Sequence, residues 1–208
     1  NSKFHNYKII NIGSNNNQIG KIIHSINKNL KIINFEPNKN LKISNTKNTK
    51  NIYVGGYSKN VKKNLFIPFF KSYPLDSLSS IYKQNIYLYL KKNKIKKNIR
   101  LVKQKFIFKK LDEYNLKTYF IKIDAEGSEL EILKGLRKTI QSYYPILLIE
   151  LSDLKDSSKI LKRLKIEKFL KNLKYEKYVY RNRSFIKQKK NLNEDMFFLS
   201  KKSFNYLK

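Results

Sequence analysis

Short apolar runs, each closed by a turn and most followed by helical periodicity, recur along this chain. That alternation restricts it to an α/β fold whose strands run mostly parallel, with helices on both faces of the sheet. Lys8 to Ile12 ends in Asn11-Ile12-Gly13; a polar turn follows, then Ile19, Ile22, Ile23 and Ile26 stand at helical spacing. Leu30 to Phe35 is a second run, closed by Glu36-Pro37, and Asn51 to Val54 a third, running into Gly55-Gly56. Two βα units and a third strand are expected by residue 56. Tyr119 to Ile123 reads as a strand, and Glu129 to Ile140 as a helix with Leu130, Leu133, Leu136 and Ile140 on one face. Pro145 to Leu151 reads as a strand buried on both faces. A helix from about Ser157 to Leu173 and strands at Tyr175 to Tyr180 and Asp195 to Leu199 complete the pattern. Only a loop, Arg181 to Glu194, separates the last two strands, so the final strand is expected to pair antiparallel. Residues 57–117, with Pro68, Pro74, Ser72, Ser77, Ser79, Ser80 and the stretch Lys91 to Lys97, read as an irregular insertion on the substrate side.

A length of 208 residues suits one domain, 1–208, and an apolar fraction of 40% suffices for its core. The net charge of +31 invites nucleic acid or an anionic surface as partner. Yet of 46 basic residues only five are Arg (Arg100, Arg137, Arg163, Arg181, Arg183), and the chain is also crowded with Asn, Ile and Tyr, which share AT-rich codons with Lys. Codon drift loading a solvated surface explains this better than selected phosphate recognition, which favours the Arg fork. The absence of Cys removes disulfides, thiolate metal sites and Cys nucleophiles. No run approaches a membrane span, and NSKFHNYKII carries no secretory apolar segment, so a cytoplasmic location is expected; a start at Asn leaves room for an upstream signal.

The turn Gly13 to Lys21 joins a strand to a helix as phosphate-binding loops do, but six residues separate its glycines and Ile22 follows Lys21, so it is not a P-loop. Nor is it Gly-x-Gly-x-x-Gly. What remains is a strand, a glycine turn and Glu36 ending the next strand about twenty residues on, where a carboxylate accepts hydrogen bonds from a ribose. An ordinary βαβ turn with an incidental Glu is the competing reading.

FIKIDAEGSELEILKG, residues 120–135, followed by PILLIEL, residues 145–151, is the most specific stretch. Acidic residues number 15 of 208, yet the window 124–153 holds Asp124, Glu126, Glu129, Glu131, Glu150 and Asp153. Asp124 and Glu150 end strands, at the sheet edge where open α/β folds place ligands. Glu126, Glu129 and Glu131 also suit the positive end of the following helix, and that role is assigned to Glu131.

These residues resemble the FkbM-type methyltransferases, which use S-adenosylmethionine and mostly modify hydroxyls of natural products and surface glycans. Lys122 to Glu129 with Glu150 is similar to the family's Lys-Ile-Asp-x-Glu-Gly-x-Glu and its strand ending in Glu; Phe35-Glu36-Pro37-Asn38 is similar to its Phe-Glu-Pro-Asn. Asn11 to Asn17 resembles its Asp-x-Gly-Ala-Asn-x-Gly loop, Ser79-Ser80 its Ser-Ser pair and Leu111-Asp112-Glu113 its Leu-Asp-Glu. Asn11 stands for the leading Asp and Asn17 for the last Gly; Asn is the non-glycine residue most at ease with positive φ. The resemblance, over about residues 8–199, implies a Rossmann-like class I methyltransferase sheet. It also implies a cofactor site of Asn11, Gly13, Ser14, Asn15, Asn17 and Glu36.

Methyl transfer to oxygen requires alignment of acceptor, methyl and sulfur, and removal of the hydroxyl proton. Asp124, Glu126 and Glu150 are the catalytic candidates, and Asp124 with Glu150 the candidate ligands of Mg²⁺. The expected acceptor is a small molecule or saccharide. Two alternatives stand beside it. One is an RNA or DNA methyltransferase, opposed by the lack of Cys and of an Asn-Pro-Pro-Tyr type motif; the other is a catalytically silent basic binding module.

Overall fold

The computed structural model describes residues 6–43, 47–95, 98–151, 157–188 and 195–207. Asp153 of the acidic window lies outside them. Strand β1 (Lys8–Ile12), helix α1 (Gln18–Ile26), β2 (Ile32–Phe35) and β3 (Thr49–Ile52) come first. The described residues between β2 and β3 form turns, not the helix that a second βα unit would supply.

Residues 57–117 are not irregular. Beside the short β4 (Gly55–Gly56), they build β5 (Val61–Phe70), β6 (Tyr73–Pro74), α2 (Lys83–Lys92) and β7 (Ile99–Lys109). These four strands form a separate sheet in the order β4-β7-β5-β6, with β5 and β7 antiparallel from Val61↔Phe108 to Phe70↔Ile99. Leu65, Ile67, Phe106 and Phe108 are its buried centre.

The chain then returns to the first sheet with β8 (Thr118–Ile123), the consecutive helices α3 (Glu129–Gly135) and α4 (Arg137–Tyr143), β9 (Ile146–Ile149), α5 (Ser157–Asn172), β10 (Tyr175–Arg181), β11 (Ser184–Lys187) and β12 (Met196–Ser200). The helix expected over 129–140 is thus two helices meeting at Leu136. A Cβ on Gly135 would stand 2.0 Å from the Tyr57 carbonyl oxygen, so α3 ends where the small sheet's entry crosses it. Asp112 accepts hydrogen bonds from the Lys138 and Thr139 N–H groups and the Thr139 hydroxyl, capping α4.

The large sheet is mixed. Its order is β11-β10-β12-β9-β8-β1-β2-β3, parallel from β9 to β3, with β12 antiparallel to both β9 and β10. The expected antiparallel last strand is present, and the expected loop before it carries β11, hairpinned onto β10. Steps from β1 to β2 and from β8 to β9 go in opposite directions along the sheet, so right-handed crossovers put α1 on one face and α3 and α4 on the other. Alternation buries Ile10, Ile12, Phe35, Ile121, Ile123, Leu147 and Ile149 against Ile132, Leu133, Leu136, Ile140, Ile166 and Leu170 in one core. Each such side chain is worth about 1.5–3 kcal/mol of burial. On the α1 face, Ile22 is 56% and Ile26 80% exposed, so half of that helix's apolar spacing faces outward.

Candidate active site

The parallel strands β1, β2, β8 and β9 end at one edge of the sheet, and their following turns meet there. After β1 the chain turns through three left-handed residues, Gly13 (φ 72), Asn15 (φ 46) and Asn17 (φ 63), a sequence of conformations open to Gly and Asn at little cost. Gly13 N–H donates to the Phe35 carbonyl at 2.9 Å, tying the turn to the end of β2. There Glu36, 7% exposed, accepts the Asn15 N–H (3.0 Å) and the Asn38 N–H (2.9 Å) on its two carboxylate oxygens. Burial pushes the Glu36 carboxyl up to about 7; those two amides pull it down, and the charges of Asp76 and Asp124 add to the rise.

Across the turn, Asp124 follows β8 and Glu150 follows β9, each backbone N–H still paired to the neighbouring strand (Asp124 to Ile12 O, Glu150 to Ile123 O, both 3.0 Å). Ligand oxygens of Asp124, Glu126 and Glu150 lie within 4.8 Å of one another. Lys122, two residues before Asp124 and on the same strand face, holds the Asp124 carboxylate at 2.5 Å with its own side chain only 9% exposed. Burial works to raise the Asp124 carboxyl, but a hydrogen bond with Glu150 and the Lys122 ammonium hold it below the usual range. Glu150 is pushed up to about 9, first by that hydrogen bond, then by desolvation and by the charges of Asp124, Glu126 and Asp195. The two carboxyls titrate as a pair, Asp124 favoured in its ionised form and Glu150 in its protonated one.

The turn that presents Glu126 is clamped from both sides. Glu126 has φ 48, and its carbonyl oxygen accepts the Ser80 hydroxyl (2.8 Å) and the Asn85 amide (2.7 Å). Glu129, buried, accepts the N–H groups of Ala125 (3.3 Å) and Gly127 (2.9 Å). Glu131, by contrast, bonds Lys134 and Ser58 away from the site, as assigned from the sequence.

Both groups of carboxylates open on one cavity of about 290 Å³. Among the described residues, five acids line it, Glu36, Asp76, Asp124, Glu126 and Glu150, and no Lys, Arg or His does, in a chain of net charge +31. Asp76 comes from the small-sheet segment and accepts the Asn38 side-chain amide at 3.1 Å. Leu65, Ile81, Phe108 and Ile132 supply apolar wall, and Ser79 and Ser80 a polar one.

Three of the expected cofactor residues, Gly13, Asn15 and Glu36, line this cavity; Asn11, Ser14 and Asn17 do not. Strand alternation turns Asn11 away from the core side that takes Ile10 and Ile12, and its amide, buried two residues short of Gly13, donates to Asn34, which donates to Asn51, a ladder across β1, β2 and β3. The Asn17 side chain packs on Gly20, where a Cβ would stand 2.0 Å from Asn17 Oδ1. Ser14 is buried behind the turn, where its carbonyl accepts the Asn17 N–H at 2.8 Å. These three shape the loop from behind. Asp76, Asn85 and the turn-holding role of Glu129 carry no signal in the sequence, while Lys122 and Asn38 stand in its motifs without an assigned role.

A family model described as the methyltransferase FkbM domain matches residues 11–181. The chain belongs to the FkbM methyltransferase family. The resemblance carried by Lys122 to Glu129 and Phe35 to Asn38 is thereby borne out. The FkbM domain is also similar to the crystal structure of methyltransferase FkbM from Methylobacillus flagellatus KT, at 14% identity and a TM-score of 0.57. The match covers 94% of this chain and 44% of that one, so this FkbM domain spans less than half of its structural neighbour, and at that identity the likeness concerns the fold. No curated protein matches the chain.

Proposed function

We propose that this FkbM domain transfers the methyl group of S-adenosylmethionine to a hydroxyl of a sugar, glycan or small natural product. The observation that carries the reading is the inverted charge of the cavity: among the described residues five carboxylates and no basic side chain line it, inside a protein of net charge +31. Such a cavity repels phosphates and attracts a cation, and S-adenosylmethionine carries a sulfonium and an ammonium. The β3-β2-β1-β8-β9 parallel order closed by antiparallel β12 supports the Rossmann-like class I arrangement.

Glu36 would receive the ribose hydroxyls, with Gly13 admitting close approach of the ligand to the backbone beside Asn15. S-adenosylmethionine supplies a methyl bound to positively charged sulfur; the acceptor oxygen gains the O–CH₃ bond as the S–CH₃ bond breaks and neutral S-adenosylhomocysteine leaves. The hydroxyl proton passes to a carboxylate. Asp124 is the base of choice, because Lys122 and Glu150 favour its ionised form; Glu126 and Glu150 stand beside it. The oxygens of Asp124, Glu126 and Glu150 are close enough together to hold a divalent cation such as Mg²⁺, which would lower the acceptor's pKa.

The acidic lining also weighs against a nucleic-acid substrate, whose phosphates the cavity would repel. Asn17 in a left-handed conformation and Asn11 in an amide ladder are built into the turn, which weakens the case for a silent module resting on those two residues. Calorimetric titration with S-adenosylmethionine tests the reading: micromolar binding is expected, and no binding overturns it.

A further inference from the structure

Between Pro37 and Leu111 stand nineteen Lys or Arg and a single acid, Asp76, and that acid lines the cavity. The small sheet and α2 therefore present an outer surface with cations and no counter-charge of their own. The turn from β5 to β6 closes the far end of the small sheet's long ladder. The ladder of β5 with β7 ends at Phe70↔Ile99, and β6 pairs back through Phe70↔Tyr73. Phe70 is 42% and Tyr73 72% exposed at this tip, values that no core or cavity role explains. Leu65, which lines the cavity, precedes Phe70 by five residues, so the tip stands about 17 Å beyond it at the rise of an extended strand.

Cations lie over Phe70 and its neighbour Phe69. Lys71 Nζ lies 5.8 Å from the Phe70 centroid, and the Arg100 guanidinium 5.4 Å from that of Phe69. Ile95, 39% exposed, precedes by four residues Ile99, the partner of Phe70, and Lys91 and Lys94 are exposed beside it in the chain. Exposed rings beside cationic side chains match the headgroup layer of a bilayer, where aromatic bodies enter below the phosphates and cations stay level with them. Single-stranded nucleic acid also accepts aromatic and basic groups, but it needs a groove with stacking platforms. A strand-to-strand turn projects outward, and Ile95 offers a base nothing to stack on.

We propose that the β5–β6 tip, with the end of α2, docks this protein on anionic lipid membranes. The inference stands apart from the methyl donor and does not depend on it. Because a charge of +31 attracts any anionic vesicle, the test must separate the tip from charge. The chain has no Trp, so Tyr73→Trp places a lone indole fluorophore at the tip. Its emission is expected to shift to the blue, and to be quenched by brominated acyl chains, on mixing with phosphatidylcholine vesicles containing phosphatidylserine, but not with phosphatidylcholine alone. The charge-neutral pair Phe70→Ser with Tyr73→Ser should weaken co-sedimentation with the same vesicles about tenfold, as expected for removing two interfacial rings. Ile26→Ser, similarly exposed but on α1, should leave it unchanged. Undiminished co-sedimentation of the double variant, or an unmoved indole emission, overturns the proposal in favour of diffuse charge attraction. An indole emission in the Tyr73→Trp variant that responds to lower concentrations of an oligothymidylate than of the vesicles overturns it in favour of nucleic acid.

Discussion

A Cβ placed on Gly13 would stand 1.7 Å from the backbone oxygen of Asp124. The glycine turn and the carboxylate turn are thus one packed unit, and the Glu36 end of the cavity is fixed against its Asp124 end by backbone rather than by side chains. Gly13→Ala must both displace Asp124 and hold Ala at φ 72. Urea denaturation should show a loss of roughly 2–4 kcal/mol, and the folded fraction should lose S-adenosylmethionine binding.

Glu36→Ala should weaken S-adenosylmethionine at least about tenfold, the value of one charge-assisted bidentate contact. Unchanged affinity by calorimetry would remove the ribose role of Glu36.

The pH dependence follows from the rise of the Glu36 carboxyl to about 7. Its folded value lies above its unfolded one, near 4.5, so the native state binds the extra proton and Glu36 costs stability progressively as pH climbs from 4.5 to 7. Glu36→Gln should remove the Glu36 share of that slope in thermal unfolding, leaving the part that comes from Glu150 and the other raised carboxyls. Ribose hydroxyls donate best to the ionised form, so wild-type cofactor affinity should increase through the same window, a trend the Gln variant should lack. Affinity that falls as pH rises would contradict the assignment.

Asp124→Asn should lower kcat by roughly 10²–10⁴ with little change in cofactor affinity, as expected for a lost general base. It also leaves the buried Lys122 ammonium without its counter-charge, so denaturation must accompany the kinetics. Adding chelator to the wild type separates base from metal: unaffected turnover assigns the rate loss to proton transfer. Lys122→Met should move the acidic limb of the pH–rate profile upward, because the ammonium that holds Asp124 low is gone. An unmoved limb would show that Asp124 is not the titrating base.

Glu129→Ala leaves the Ala125 and Gly127 N–H groups without their carboxylate acceptor in a partly buried turn. Roughly 2–3 kcal/mol of stability should be lost. Glu129→Gln, which keeps an acceptor, should restore most of it; equal losses in both would mean that the charge, not the hydrogen bonds, holds the turn.

Strands β8 and β9 and their helices were legible because sequence pattern and burial coincide there: Ile121, Ile123, Leu147 and Ile149 are all fully enclosed. Residues 57–117 were not. On β7 only Phe106 and Phe108 are buried, while Lys103 and Lys105 interrupt the other face, so alternation emerges only once β5 pairs with it. Asp124 and Glu150 could be placed by strand ends alone. Asp76 could not, since its approach to Glu36 depends on how the small sheet folds over the cavity. Asn11 was misread by position: it lies in the right segment, but side-chain alternation points it at Asn34.

Strand β12 lies between β9 and β10, yet it follows both in sequence, with Met196 paired to Ile149 and Ser200 to Tyr175. Until the ribosome has released residue 200, the flank of β9 that supports Glu150 has no partner, and β9 and β10 are two open edges. Emerging chains must therefore wait with exposed strand edges, and any premature stop before β12 should yield a species that self-associates rather than a smaller folded protein.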